Sequence, residues 1–513
     1  MSDRPLLVGL TVASGLLAYK LYKDKQGYEL GLPPSPRSYP LLGHLLSIPN
    51  EYEHLGFMRL GKQLGSTIFL LSAFGTTMIV LNDRDDATNL FDKRSTTYSD
   101  RTCPPMVQDP SLLNWGDFGS LVGYGDRWRK YRRLMTPWLN KQAVVAYHES
   151  QEHATKKLLH RLLNTHENVK NSHDLEAELY LCISATMLRS LYGYEAESPS
   201  DPFLMRSREA FSYLAQAMLA SNYLVNTLPA LRHIPKWFPG ANWKRNASNQ
   251  REEKDSLIDD LYNIALEKTK KDENTRLMVA SLRGQALKLG LTEEEADDYV
   301  KQISITMFAG GTDTTVSTLM MFFMAILIYP EVQRKAQAEL DSVIGADRLP
   351  SFQDRHRLGY IERIVQETLR WGPITPLAVP HTCFQDDTYK GYRIPKGTIV
   401  IGNVWAMTRD EKVYPNPEVF DPDRYLDPST PLSPVFGWGR RRCPGAHFAE
   451  ASLFIAIASI LFTFNVEVAQ DNDGKDVPPT GKLVNSLVLV PEKFMVKLTP
   501  RSTKHAELIR HSI

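Results

Sequence analysis

A thiol stands in a cationic, glycine-rich stretch near the carboxyl end of the chain. Cys443 lies in Phe436–Gly445 (FGWGRRRCPG), directly after three arginines and before an apolar segment, AHFAEASLFIAIASILF. Nearby cations and a helix N-terminus both lower a thiol pKa, so the pattern predicts a thiolate. The glycines allow the backbone to turn tightly and to approach a flat ligand. A thiolate could be a nucleophile or a metal ligand, and this stretch offers no base to assist a nucleophile.

A second candidate set lies in Gly310–Thr315 (GGTDTT). Two adjacent glycines would leave a groove in which dioxygen could lie against a helix. The Thr314 hydroxyl can bond to a backbone carbonyl one turn back, and Asp313 with Thr314 could relay protons. On the residues alone, the glycines are as readily a kink and Asp-Thr-Thr a solvated face.

The spacing Phe436-x-x-Gly439-x-Arg441-x-Cys443-x-Gly445 resembles the haem-binding loop of the cytochrome P450 family. The resemblance implies that Cys443 is the axial thiolate ligand of haem b (iron protoporphyrin IX). It also implies that Arg441 pairs with a haem propionate and that Phe436 packs under the ring. A thiolate pushes electron density onto iron and favours O–O cleavage.

Further residues match the same family in the same chain order. Asp313 and Thr314 resemble its oxygen-activation motif, and Trp128 with Arg132, four apart on one helix face, resembles its propionate-binding pair. His381 matches another position that contacts a propionate. Without the family, Trp128 and Arg132 indicate only an amphipathic helix with a basic outer side.

A structural triad is also implied by the resemblance. Glu367 and Arg370 (ETLR) lie three apart on one helix face and can pair, and Arg424 of PEVFDPDRY would join them. Such a triad would fix the core around the haem rather than do chemistry.

The resemblance implies the cytochrome P450 fold, mainly α with small β-sheets (α+β), as a single large haem domain with an N-terminal membrane helix. The residues independently predict one very long helix, because Thr292 and Glu295 form a capping box and nothing breaks the helix before Pro330. Its later half, Leu319–Ile328, is apolar on all faces but too short to cross a bilayer, which favours a buried core helix. Other predicted helices are Asp126–Thr136, Gln250–Lys271 and Pro330–Gly345, with β structure near Ile68–Asn82 and Tyr389–Asn403.

The start of the chain predicts a membrane anchor. Leu6–Tyr19 is almost entirely apolar, and Lys20, Lys23 and Lys25 follow it, which favours a cytosolic body. We therefore divide the chain into an anchor (1–25), a proline-rich linker (26–50) and a haem-thiolate domain (51–513), held in the endoplasmic reticulum membrane by a single pass. A cleaved signal peptide is the rival interpretation; a cytosolic domain would leave the sequon at Asn246 unmodified.

Composition narrows the class of ligand. The 60 basic and 59 acidic residues give a net charge of +1, so the chain lacks the basic excess of a nucleic-acid binder. Four cysteines are too few for a disulfide scaffold of this size. The substrate is therefore expected to be a small molecule.

By the resemblance, five segments would line a pocket above the haem, and no charged residue in them stands out as a counter-ion. An apolar substrate is favoured, and the chain looks like fungal monooxygenases of secondary metabolism (terpenoid or polyketide) of the O-methylsterigmatocystin oxidoreductase-like kind. The segments are Asp100–Trp115, Met205–Leu231, Ser304–Thr314, Thr375–Val379 and Asn485–Leu489.

Electrons must come from outside, since the chain has no flavin or nicotinamide fingerprint. The expected partner is NADPH–cytochrome P450 reductase, with cytochrome b5 as an optional second one, docked on a basic face. That face would comprise Arg127, Arg129, Lys130, Arg133, Arg440 and Arg442. Two alternatives stay open: a haem-thiolate isomerase or dehydratase that needs no reductase, and a non-catalytic haem-binding sensor.

Overall fold

The computed structural model describes residues 31–40, 42–164, 169–219, 222–272, 277–471 and 473–512. The predicted anchor, residues 1–25, lies outside these described residues. Within the predicted linker, the chain from Gly31 to Tyr39 is not helical and contacts strands of two sheets: the Pro34 carbonyl accepts a bond from Leu70 N–H (2.9 Å), and the Gly31 carbonyl accepts one from Arg393 N–H (3.1 Å).

Helices form most of the described chain. In order they are α1 (Glu53–Leu64), α2 (Arg84–Thr88), α3 (Pro105–Gln108), α4 (Asp126–Leu139), α5 (His148–Asn164), α6 (Ser172–Tyr192), α7 (Pro202–Met218), α8 (Leu224–Thr227), α9 (Asn242–Lys271), α10 (Met278–Lys288), α11 (Glu293–Ile328), α12 (Pro330–Ile344), α13 (Gly359–Trp371), α14 (Val404–Met407), α15 (Ala446–Thr463) and α16 (Thr503–Arg510). The three shorter helices predicted above correspond to α4, α9 and α12, so these predictions are confirmed apart from their ends.

The strands form small sheets, as the sequence predicts for the two β-rich stretches. They are β1 (Ile68–Ala73), β2 (Thr76–Leu81), β3 (Val169–Asn171), β4 (His381–Thr382), β5 (Asp387–Tyr389), β6 (Tyr392–Ile394), β7 (Ile399–Gly402), β8 (Phe464–Val468), β9 (Leu483–Val484), β10 (Val490–Pro491) and β11 (Met495–Pro500). The largest sheet has the order β1-β2-β7-β4, in which β1 and β2 form a hairpin and β2 runs parallel to β7. The others are β3-β11-β8, β9-β10 and β5-β6.

Helix α11 is the long central helix that the sequence predicts. Its capping box is complete, since Glu295 N–H donates to Thr292 Oγ1 (3.2 Å) and Thr292 N–H donates to Glu295 Oε2 (2.9 Å). It runs for 36 residues and packs against α6, α10 and α15. Among the described residues, α11 and α15 are long and apolar enough to span a membrane, yet 78% and 83% of their apolar windows are buried inside the protein. Both are therefore core helices, as predicted for Leu319–Ile328.

Candidate active site

The loop before α15 presents Cys443 at the start of that helix. Cys443 N–H donates to the Phe436 carbonyl (2.8 Å), which closes the loop, and Gly437 and Gly439 both have positive φ angles. A Cβ at Gly439 would lie 2.2 Å from the carbonyl oxygen of Phe91, so only glycine fits there. Phe91 belongs to a π-helical turn, Asn89–Lys93, and the backbone of this turn packs directly against the loop at Gly439.

Burial dominates the chemistry of the Cys443 thiol. Its pKa is raised by burial, against the opposing effects of the Gly445 backbone N–H and of Arg132 and Arg442. In the protein without a ligand, burial therefore outweighs the effect of the neighbouring arginines and the backbone N–H on this pKa. Cys443 is nevertheless accessible, whereas the other three cysteines are buried. A sulfur that is both accessible and surrounded by protein faces an internal space, where a bound metal would itself deprotonate it.

Arg441 has one nitrogen still available for a ligand. Its Nε donates to the Ser99 carbonyl (2.7 Å) and its Nη2 to the Val122 carbonyl (2.8 Å), while Nη1 is buried without a partner among the described residues. Burial lowers the Arg441 pKa to about 10. Its guanidinium lies 4.7 Å from the centroid of the Trp128 ring.

Arg101 resembles Arg441 in having one buried nitrogen without a described partner, and it is not among the residues predicted from the sequence to bind haem. Its Nη1 donates to the carbonyls of Val379 (2.8 Å) and Pro380 (2.6 Å), while its Nε is buried without a described partner. Burial, and then the charge of Arg441, lower its pKa to about 9. No motif marks Arg101, because only folding brings it to Arg441.

His381 completes this group of buried cationic or polar side chains. Its Nδ1 bonds to the Tyr98 carbonyl (2.5 Å), and its ring stacks on Phe91 with centroids 4.1 Å apart. Burial and the charge of Arg101 hold its pKa well below the ordinary value. Two arginines with unpaired buried nitrogens beside a neutral histidine fit a ligand that carries carboxylates, as the propionates of haem do.

The remaining predicted propionate residue makes a different contact. Arg132 Nη1 donates to the Arg442 carbonyl (2.9 Å), so it braces the Cys443 loop directly. Trp128 on the same helix is buried and lies against Tyr124, with centroids 5.1 Å apart.

On α11, the two glycines differ. A Cβ at Gly310 would meet nothing within 4 Å, whereas one at Gly311 would lie 3.2 Å from the Met187 side chain. The predicted groove is therefore formed by Gly310, while Gly311 serves the packing of α11 against α6. Thr314 Oγ1 donates to the Gly310 carbonyl (2.7 Å), as the sequence predicts.

Asp313 lies among polar side chains of α6 and α7. Burial raises its pKa to about 7, although the residue keeps some accessible surface, and the nearby Tyr180 hydroxyl and Arg208 oppose the shift. Arg208 in turn pairs with Glu176 (2.9 Å), and its guanidinium lies 5.0 Å from the Tyr180 ring centroid. A carboxyl with such a pKa can both accept and release a proton near neutral pH.

The predicted triad is assembled and buried. Arg370 donates through Nε and Nη2 to Glu367 (2.8 and 2.7 Å), and Arg424 Nε donates to Glu367 Oε1 (3.0 Å). Arg370 Nη1 also donates to the carbonyls of Thr408 and Pro417. This triad makes no contact with the Cys443 thiol that the structure records, which agrees with a structural part.

Two members of the predicted basic face have acidic partners that offset their charge. Arg127 pairs with Asp298 (2.6 Å) and Asp117 (3.1 Å), and Lys130 pairs with Asp126 (2.9 Å). The other members of the set make no ion pair with the described residues; they are Arg129, Arg133, Arg440 and Arg442.

Comparisons with a family sequence model and with individual proteins all indicate the same family. The sequence model described as Cytochrome P450 matches residues 33–498. Cytochrome P450 monooxygenase 98 of Postia placenta is 36% identical over 518 residues, covering 99% of this chain and 98% of that protein. Cytochrome P450 monooxygenase claR of Ampulloclitocybe clavipes is 35% identical, covering 99% of this chain and 93% of that protein. Cytochrome P450 monooxygenase ple1 of Rhodocybe pseudopiperita is 33% identical, with 99% and 97% covered.

Proposed function

Because this chain belongs to the cytochrome P450 family, whose members bind haem b through a cysteine thiolate, we propose that it is a monooxygenase with Cys443 as its iron ligand. It would insert one oxygen atom from O2 into an apolar small molecule of secondary metabolism. The observation that carries this is Cys443, accessible inside the protein in a loop that also brings the unpaired Arg441 Nη1.

The haem would be held by the residues that surround this loop. Arg441 and Arg101 would each give a buried N–H to a propionate, and His381 would lie beside them. Phe436 and Trp128 would offer apolar and aromatic surface to the ring, and Arg132 would brace the loop. Glu367, Arg370 and Arg424 would keep the surrounding core in place.

Haem, when bound, supplies the iron at which dioxygen is activated and from which one oxygen atom passes to the substrate. The protein's own part is proton delivery beside the Gly310 groove. Asp313, with a pKa of about 7, can hold a proton and release it. The Thr314 hydroxyl donates to the Gly310 carbonyl, which leaves the lone pairs of its oxygen free to accept a proton in this proposed relay.

The substrate is proposed to be apolar because the charged side chains that α7 contributes to the predicted lining are already engaged. Arg206 pairs with Asp260 (2.8 Å), Arg208 with Glu176 (2.9 Å), and Glu209 accepts from the Tyr213 hydroxyl (2.5 Å). No free counter-ion is therefore left in these residues for a charged substrate.

A redox partner and a membrane anchor complete the proposal. A monooxygenase of this family needs a redox partner, and NADPH–cytochrome P450 reductase would dock on Arg129, Arg133, Arg440 and Arg442, the arginines without ion pairs. Cytochrome b5 could use the same face. Residues 1–25 would anchor the chain in the endoplasmic reticulum membrane, residues 26–50 would link it, and residues 51–513 would form the cytosolic haem domain.

The spectrum of the reduced, CO-bound protein tests the central assignment. We expect the red-shifted Soret band of thiolate-ligated haem, and Cys443→Ser should abolish it. Cys383→Ser is the matched control, because that buried thiol donates to the Gln385 carbonyl (2.8 Å) and bonds with the Tyr98 hydroxyl, and a serine hydroxyl can make both contacts. A band that survives in Cys443→Ser would refute the assignment.

Product analysis separates the competing activities. In a host that co-expresses a reductase, a monooxygenase should form product only with NADPH. Product formed without reductase would instead identify an isomerase or dehydratase, and no product under any condition would favour a haem-binding sensor.

A further inference from the structure

A cleft of about 460 Å³ opens between α7 and α9, and none of the residues proposed for haem binding or proton delivery lines it. Both walls carry charged and polar side chains at helical spacing. They include Arg206, Glu209, Tyr213, Gln250, Glu253 and Lys254.

Lys254 is a buried ammonium at the inner side of this cleft, only 3% exposed. Its Nζ donates to the Asn114 carbonyl (2.9 Å), lies 2.8 Å from Asp255 Oδ1 and sits 5.1 Å from the centroid of the Trp115 ring. A cation over an aromatic face is stabilised most when it is desolvated, so this contact holds Trp115 in place.

The loop that carries Trp115 is fastened to α9 at a second point. Arg251 Nη1 donates to the Pro110 carbonyl (2.6 Å). Asn114, whose carbonyl accepts the Lys254 bond, has a φ of +53°, in the left-handed region that residues other than glycine rarely adopt. The loop is therefore held in one specific shape by side chains of α9.

Trp115 belongs to an aromatic row that leads to the central helix. It is 2% exposed and packs against Phe118 (5.4 Å between centroids) and Phe211 (5.9 Å). Phe211 packs against Phe308 (6.3 Å), which precedes Gly310 by two positions on α11. Trp115 and Phe211 thus stand between the cleft and the helix that carries the open Gly310 groove.

We propose that this cleft is the substrate entrance, that the Trp115 ring is its gate, and that Lys254 is the latch that holds the gate closed. The proposal rests on the proposed function, because it takes the space beside Gly310 as the place where substrate meets haem. An entering apolar molecule must lift Trp115 away from the ammonium. Lys254 would therefore control how fast bulky molecules enter and leave, and would be a determinant of substrate size.

Ligand-exchange kinetics in Lys254→Met test the latch in the full-length haem protein. The probe is 4-phenylimidazole, a bulky azole that ligates haem iron and shifts the Soret band, and cyanide is the small probe. We expect 4-phenylimidazole to associate and dissociate about tenfold faster in the variant, as expected for the loss of a buried cation–π contact and a charged hydrogen bond. Its Kd should stay within about threefold, and cyanide kinetics should not change. Lys254→Arg should keep wild-type rates.

Lys301 provides a matched control. Its Nζ lies 5.2 Å from the Tyr262 ring centroid and 2.7 Å from Asp259 Oδ1, the same kind of contact away from the cleft. Lys301→Met should leave both probes at wild-type rates. Equal 4-phenylimidazole rates in Lys254→Met and wild type would overturn the latch, and so would an equal acceleration in Lys301→Met.

A second measurement does not depend on haem ligation. Hydrogen–deuterium exchange of residues 109–118 should be faster in Lys254→Met than in Lys301→Met, and equal exchange would again overturn the latch. If neither probe shifts the wild-type spectrum, the haem assignment fails instead, so the two failures can be told apart.

Discussion

Two clusters of buried charge in this protein are built in opposite ways. The core cluster is Glu367, Arg370 and Arg424, and the loop cluster is Arg101, Arg441 and His381. In the core cluster the carboxylate of Glu367 receives three guanidinium bonds of 2.7 to 3.0 Å, and the remaining Arg370 nitrogen donates to backbone carbonyls. Both of its cations therefore have the Glu367 carboxylate as a direct partner, although two arginines and one glutamate leave a net charge of +1.

The loop cluster contains no carboxylate of its own. Asp100 favours the charged forms of Arg101 and Arg441. Arg441 disfavours the charged form of Arg101, and both arginines disfavour the charged form of His381. One nitrogen on each arginine is buried without a described partner. Burying these cations without a directly bonded anion costs free energy. A bound dicarboxylate would supply the missing anions and reduce that cost.

An unpaired nitrogen alone does not distinguish the clusters. Arg409 beside the core cluster also has a buried Nε without a hydrogen-bond partner among the described residues, but this nitrogen lies 3.9 Å from Glu418 Oε1, and the carboxylates of Glu418 and Glu367 favour its charge. The difference lies in direct pairing: Glu367 accepts bonds from both arginines of the core cluster, whereas Asp100 makes no ion pair with Arg101 or Arg441 among the described residues. The comparison therefore predicts that damage to the core cluster unfolds the protein, whereas damage to the loop cluster releases haem.

The largest expected effect is loss of the folded state in Glu367→Ala. Glu367 and Arg370 are both 0% exposed, so the change leaves two arginines buried without their carboxylate. Removing one partner of a buried pair costs about 3–5 kcal/mol, a large part of the roughly 5–15 kcal/mol that stabilises an ordinary domain. Soluble yield and the urea midpoint should both fall steeply.

Glu362→Ala on the same helix is the matched control for this loss. Glu362 pairs with Arg355 (2.5 Å), but both side chains are 30% exposed. Exposed pairs contribute about 0–1 kcal/mol, so this variant should remain close to wild type. Similar losses in the two variants would mean that burial does not set the value of the core cluster.

An intermediate effect is expected on haem retention in Arg441→Met. The change removes two bonds to backbone carbonyls but also removes a charge that its neighbours repel, so the free energy of unfolding of the haem-free protein should change by about 1 kcal/mol or less. Loss of a charged bond to a propionate should make haem transfer to apomyoglobin about tenfold to hundredfold faster.

Arg409→Met is the appropriate counterpart, because it removes a buried arginine with the same kind of unpaired nitrogen. It also loses a contact of 3.6 Å with the Trp405 ring centroid. This variant should lose stability without a matching change in the rate of haem transfer. If Arg441→Met and Arg409→Met behave alike in both assays, the distinction between the clusters is wrong.

What the sequence could predict depends on whether a feature is local. The capping box of α11, the Thr314 bond to Gly310 and the Glu367–Arg370 pair each join residues within one or two helical turns, and the structure contains all three. Spacing along one helix determines such contacts directly.

Features that depend on distant segments were missed or misjudged. Arg101 and Arg441 are 340 positions apart, so no local pattern could show that they share a site. The arginines around Cys443 are visible in the sequence, but the burial that outweighs them is not. Gly311 could not be distinguished from Gly310 either, since only the packing of Met187 separates them.

The smallest predicted effect concerns Asp313, a third buried ionisable group. Both a cation and an anion lie near its carboxyl, so its surroundings are intermediate between those of the two clusters. The groups that face it are Tyr180 and Glu176 from α6 and Arg208 from α7. Burial, with a smaller contribution from Glu176, outweighs Tyr180 and Arg208 and raises the Asp313 pKa to about 7. In the unfolded chain an aspartate titrates near 4. Between these values the folded protein holds one more proton, so this group makes stability fall as pH rises from about 4 to about 7 and adds nothing further above that.

Asp313→Asn should remove this pH dependence. The stability of the variant relative to wild type should therefore increase between pH 5 and pH 7, by on the order of 1–2 kcal/mol because the site keeps some accessible surface. Asp354→Asn is the control, because the Asp354 pKa is shifted in the opposite direction: its bond to Arg348 lowers the pKa. The stabilising effect of Asp354 is therefore fully present at every pH above the pKa of an aspartate in the unfolded chain. The difference between Asp354→Asn and wild type should be constant from pH 5 to pH 8. Urea unfolding at each pH measures both differences. If the difference between Asp313→Asn and wild type does not change with pH, Asp313 is ionised throughout this range, as a carboxylate with a direct cationic partner would be.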